Sequence, residues 1–141
     1  MKGSSPQIRR RARERAAQFL YGLDFTHYHW RDRLDDFWQD NPSREPVKKY
    51  AAHLIEGVTE NREELDAAIS GALDRWDPKR VGHIEQNILR IGLYEMRYAD
   101  DVPETVAITE AIEVARRFGA EEAPRFVNAI LDRLKGERDH G

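Results

Sequence analysis

The sequence contains no cysteine. That excludes a disulfide framework, a thiolate zinc site and a cysteine nucleophile, and it fits a reducing compartment. No apolar run approaches the ~18 residues needed to span a bilayer, and Met1-Lys2-Gly3-Ser4-Ser5-Pro6-Gln7 lacks the apolar stretch of a signal peptide, so a soluble cytoplasmic protein with no membrane partner is expected. Also missing are a Gly-x-x-x-x-Gly-Lys phosphate loop, a Gly-x-Ser-x-Gly elbow and a dinucleotide fingerprint. No segment alternates strictly between apolar and polar residues, so strands are not expected. No repeat or low-complexity linker divides the 141 residues. A chain of this size forms one domain and buries roughly 68% of its unfolded surface on folding.

What is present is a charge asymmetry. The whole chain carries only -3, but residues 2 to 15 hold Lys2, Arg9, Arg10, Arg11, Arg13 and Arg15 against Glu14 alone, a local net charge of +5 that leaves -8 on the remainder. A basic end on an acidic body implies a localised polyanion site and discourages indiscriminate adhesion elsewhere.

Apolar residues recur at intervals of three and four almost throughout, which predicts an all-α protein of six or seven helices. The first is expected over about Arg9 to Phe25, with Ala12, Ala16, Phe19, Leu20 and Leu23 as its stripe. A short second helix carries Trp30, Leu34, Phe37 and Trp38 and ends at the turn-forming Asn41-Pro42-Ser43. Pro46 suits the first position of a third, whose Val47, Tyr50, Ala51, Leu54, Ile55 and Val58 keep helical spacing. Thr59 or Asn61 can cap a fourth that stops before Asp77-Pro78. From Val81 to Met96 apolar residues cover more than one face, the pattern of a central buried helix. A sixth follows Pro103 and stops at Gly119, and a seventh starts near Pro124 and frays from Lys135.

Few residues invite catalysis or metal binding. His53, His83 and His140 are isolated, while His27 and His29 lie two apart without a third ligand, so no metal site or other cofactor is expected. Glu63-Glu64 and Glu121-Glu122 diverge as helix neighbours and read as solvated faces or first-turn dipole partners, not as an acid and base pair. Glu95, set among apolar residues, reads as a structural carboxylate satisfied by an arginine or a backbone end, and Asn128 as a structural hydrogen bonder. Trp30, Trp38 and Trp76 read as closing helix ends onto the core. No catalytic residue is assigned, and the chain reads as a non-enzyme.

The arginine segment is different. Cations at a helix N-terminus oppose the macrodipole and one another, at about 0.3 to 1 kcal/mol each, and only Glu14 offsets them here. An anionic ligand explains the accumulation, because guanidinium pairs with phosphate bidentately and stacks on bases. A short arm rather than a recognition helix behind a supporting helix favours RNA over DNA.

Arg9-Arg10-Arg11-Ala12-Arg13-Glu14 and Ala16-Ala17-Gln18-Phe19-Leu20-Tyr21 resemble the opening of the NusB family of bacterial transcription antitermination factors. Leu54-Ile55-Glu56-Gly57-Val58, Ile88 to Glu95, Val102-Pro103 with Val106-Ala107-Ile108, Glu110 to Ala115, Phe118 to Glu121 and Phe126-Val127-Asn128 continue the match in order, over residues 9 to 135. The resemblance implies two small helical bundles packed across each other in one domain, with residues 1–8 as a flexible start, 9–60 and 61–135 as the bundles and 136–141 as a frayed tail. It also implies binding of the boxA element of ribosomal RNA transcripts, as a single strand, together with the small-subunit ribosomal protein NusE. Other Nus factors and RNA polymerase would be engaged indirectly, and ribosomal RNA transcription made processive. Arg9, Arg10, Arg11, Arg13 and Arg15 map onto the family's RNA-binding arm, and Tyr21, Glu85, Glu122 and Phe126 onto the continuing RNA or partner surface. Thr109 and Ala129 stand where the family usually has asparagine and glycine, which bears on a local hydrogen bond and on helix packing.

Two rivals stand beside this. The same fold opens ribosomal RNA cytosine-5 methyltransferases, against which the length and the missing catalytic cysteine argue. The other is a helical interaction module that self-associates as a homodimer through the arginine-rich helix.

Overall fold

The computed structural model describes residues 5–73 and 81–136 and contains only helices among them. Seven run in the order α1 (Pro6–Leu23), α2 (Trp30–Asp40), α3 (Glu45–Glu60), α4 (Arg62–Ala72), α5 (His83–Tyr98), α6 (Glu104–Phe118) and α7 (Ala123–Leu134). Helices α1 to α3 form one group, in which α1 packs most extensively on α3; α4 to α7 form the other, around α5. Helix α5 joins the two, because α1 and α3 both pack on it. Every residue from Asn87 to Met96 is buried, as expected of a helix apolar on several sides.

The first helix starts three residues earlier than its periodicity suggests. Ser5 accepts a hydrogen bond from the Ile8 N–H at 3.1 Å and Pro6 occupies the first turn, so residues 5–8 are the cap and opening turn of α1 rather than a flexible lead. Helix α1 also ends at Leu23, before Phe25, where the Phe25 and Thr26 N–H groups tighten onto Gly22 and Leu23 carbonyls. Neither proposed side chain caps α4. Asn61 Nδ2 donates back to the Gly57 carbonyl at 2.8 Å and Thr59 to that of Glu56, so both close α3 instead. Helix α5 begins at His83, two residues later than Val81, and continues to Tyr98.

Gly119 does end α6, in extended backbone that any residue adopts (φ -90°). Space is what demands glycine there: a Cβ would lie 2.6 Å from that of Ala123 and 2.9 Å from Glu85 Oε2. Gly136 is left-handed, with φ 91°, and its N–H donates to Glu104 at 3.1 Å. Trp30 and Trp38 pack half-buried against the core, as expected, while Trp76 and Asp77-Pro78 lie outside the described residues. Asn128 is exposed on α7 and has no side-chain hydrogen bond among the described residues, contrary to its expected structural role. Thr109 turns its hydroxyl back to the Thr105 carbonyl at 2.9 Å, and Ala129 is half-buried. Among the described residues no helix is long and apolar enough to cross a membrane, and no His/Asp/Glu group could hold a metal ion.

Candidate nucleic-acid interface

At 100° per residue four of the arginines of α1 flank its apolar stripe, with Arg9 and Arg13 roughly 160° around the helix from Arg11 and Arg15, while Arg10 lies on the outer face nearer the first pair. Their surroundings differ. On the first edge, Arg13 is 4% exposed and donates through Nε and Nη2 to both oxygens of Glu95 at 2.7 and 3.0 Å. The Tyr50 hydroxyl adds a third hydrogen bond to Glu95 at 2.5 Å. Burial pushes the Arg13 pKa down, but the hydrogen bond and charge of Glu95 prevail and leave it raised. Burial first, and then the same carboxylate, pushes the Tyr50 hydroxyl well above its ordinary range. Glu95 is therefore the structural carboxylate its sequence context suggests.

Arg10 donates in a fork to Glu110 at 3.0 and 2.7 Å, and Arg13 reaches the same carboxylate at 3.4 Å. The Arg10 hydrogen bond draws the Glu110 pKa down, and Arg9, which pairs with Asp101 at 2.7 Å, does the same for Asp101. The Arg9 guanidinium carbon also sits over the Tyr50 ring, 4.6 Å from its centroid.

The second edge has a single carboxylate, Glu14, among the described residues. There Arg15 hydrogen-bonds neutral groups: Ser43 at 3.2 Å, Asn41 at 3.2 Å and Gln18 at 3.1 Å. Burial and the like charges of Arg11 and Arg117 lower its pKa, outweighing the opposite pull of the nearby Glu14 carboxylate. Arg11 pairs with Glu14 at 3.1 Å, and Glu14 is shared with Arg117 at 3.3 Å.

Arg13, expected as a phosphate contact, thus has a buried guanidinium whose donors face carboxylates. Sequence periodicity carries the division into two edges, but the acids of α5 and α6 that neutralise one edge lie 82 to 100 positions away. Arg44, exposed beside the second edge just after the α2–α3 turn, was not singled out by the sequence, since nothing in its spacing links it to α1.

The four further surface candidates separate in the same way. Tyr21 (42% exposed) and Glu122 face solvent. Phe126 is 7% exposed within the α7 stripe, and Glu85 is 8% exposed, its Oε2 accepting from the Ala120 N–H at 2.9 Å. Phe25, 61% exposed and unremarked in the sequence beyond its place at a helix end, lies edge-on to Tyr21 at 5.2 Å and beside His83 at 4.8 Å.

Comparison with known proteins places this geometry. The NusB family model matches residues 10–135. The transcription antitermination protein NusB of Trichlorobacter lovleyi is 40% identical, over 91% of this chain and 90% of that protein; that of Myxococcus xanthus is 38% identical over 89% and 93%. The structure of T. maritima NusB superposes with a TM-score of 0.82 at 33% identity, covering 96% of this chain and 94% of that one. A NusB crystallised with NusE and double-stranded RNA shares the fold, with a TM-score of 0.81 at 23% identity over 92% and 97%. From an arginine-opened first helix, a buried central α5 and a match that spans nearly the whole sequence, the conclusion is that this chain belongs to the NusB family.

Proposed function

We propose that the chain is a transcription antitermination factor that binds boxA RNA of ribosomal RNA transcripts together with NusE. In this role it acts in the cytoplasm and promotes processive ribosomal RNA transcription, with other Nus factors and RNA polymerase engaged through the assembled complex. Family membership supports the reading, and its relatives carry the name transcription antitermination protein. The observation that carries the RNA contact is the second edge of α1, where Arg15 hydrogen-bonds neutral groups and has no carboxylate partner among the described residues. Phosphate supplies the missing countercharge, and such contacts position an RNA without reading its sequence.

Arg11 and Arg15 are assigned direct phosphate contact. Arg10, with a half-exposed side chain, lies within reach of the same strand, and Arg9 and Arg13 hold α1 in place. Tyr21, Glu122 and Phe25 are assigned to the partner surface, and the buried Glu85 and Phe126 to its support. The role is one of binding rather than catalysis. Self-association through the arginines is disfavoured because Arg9, Arg10 and Arg13 already pair within the chain.

The test is a titration of boxA RNA, with a scrambled strand and a duplex as controls, by the protein alone and with NusE. Affinity should rise with NusE, and log affinity should fall with log salt at about 0.7 per neutralised phosphate. Salt-independent binding, or an affinity that NusE leaves unchanged, would sink the reading.

A further inference from the structure

An open groove of about 580 Å³ lies between the second edge of α1 and the turn that leads into α3. Ile8, Pro42 and Val47 supply apolar surface, and Arg11, Arg15 and Arg44 supply cations. Neither Arg15 nor Arg44 has a carboxylate partner among the described residues, and the Glu14 beside Arg11 is divided with Arg117. The groove is thus electropositive in a protein whose net charge is negative.

We infer that this groove receives one unstacked nucleotide of a single-stranded RNA, its base against Ile8, Pro42 and Val47 and its phosphate between Arg15 and Arg44. The inference rests on the RNA-binding reading above and adds to it a subsite and a residue, Arg44, from outside the arginine arm. Three features select this occupant. The volume lies within the range of ~300 to 1,000 Å³ that small-molecule sites occupy, so a nucleotide fits and a duplex does not. Apolar surface beside guanidinium matches the flat base and charged phosphate of a nucleotide, whereas an acidic peptide would leave the apolar part uncovered. Arg15 is held before any ligand arrives, its Nε fixed by Ser43 and its Nη1 by Asn41 and Gln18, so little side-chain freedom is lost on binding. The turn that carries Ser43 also carries Arg44, so the two cations are positioned by one short segment.

Arg44 gives the cleanest test, since it is exposed and caps no bond of α3 through its side chain. With the protein and NusE together, Arg44→Ala and Arg15→Ala should each weaken binding of single-stranded boxA RNA by on the order of tenfold, the worth of one charge-assisted hydrogen bond. Each should also lower the salt slope by about 0.7. Arg44→Lys should restore the slope. Methyl resonances of Ile8 and Val47 should shift with the single strand and stay unmoved with a duplex of the same sequence. If the wild type binds RNA but Arg44→Ala keeps its affinity and slope and the methyls stay in place, the groove is wrong and the RNA-binding reading stands. If the wild type binds no RNA under these conditions, both fail together.

Discussion

The two arginine-bearing edges of α1 have nearly the same composition and opposite surroundings. Arg9, Arg10 and Arg13 meet Asp101, Glu110 and Glu95, and their charges are used to fasten α1 to α5, α6 and the connection between them. Arg11 and Arg15 meet one shared carboxylate and a set of neutral groups. A run of cations is therefore two devices: one holds the fold, and the other keeps charge available for an anion. The difference arises from where carboxylates sit on neighbouring helices, not from the arginines themselves.

The largest expected effect tests the fastening edge. Arg13→Ala strands a buried Glu95 carboxylate and should cost about 3–5 kcal/mol, read by chemical denaturation. Against the ~5–15 kcal/mol that holds a domain together, this approaches unfolding. Replacing Arg13 and Glu95 together by methionine should recover much of the loss, since the pair is then removed rather than broken. A single variant costing under about 1 kcal/mol would show that Arg13 is not held as a buried ion pair.

Next comes the binding edge. Arg11→Ala with Arg15→Ala should lower RNA affinity on the order of 100-fold and reduce the salt slope by about 1.4, with the folded structure intact by circular dichroism. Equal losses of affinity from Arg10→Ala would erase the distinction between the edges.

Acid should act on the fastening edge. The Glu110 and Asp101 carboxyls are held below their ordinary values of 4.5 and 3.8, chiefly by hydrogen bonds from Arg10 and Arg9. Their contribution is complete above those values and is lost as pH falls through the lowered folded-state values. The melting temperature should therefore drop with acidification, and Glu110→Gln should flatten part of that drop. An unchanged profile in this variant would remove Glu110 from the account.

The smallest effect is that of Arg10→Ala on stability. The side chain is 52% exposed, so loss of its fork to Glu110 should cost about 0.2–1 kcal/mol by denaturation. A larger cost would place Arg10 with Arg13 as a buried strut.

Much of the fold was legible in the sequence because helical periodicity is local. The stripe of α3, the many-sided burial of α5 and the stop at Gly119 all follow from residues within one helix. Helix ends were less legible, since capping depends on single side chains with competing partners. Ser5 starts α1 early, and Asn61 turns back to α3 instead of forward to α4. The candidate site was half legible: its arginines stand out as an accumulation, and the family match extends over nearly the whole chain.

By itself the sequence determined an all-helical protein, the family and a cluster of arginines at the head of the first helix. Tertiary structure decided which of those arginines remain available. Helix periodicity divides them into two edges, but neutralisation needs carboxylates within hydrogen-bonding distance, and Glu95, Asp101 and Glu110 come into reach only when α5, α6 and the turn between them pack beside α1. The same packing brings Arg44 to the other edge, where no carboxylate answers it among the described residues.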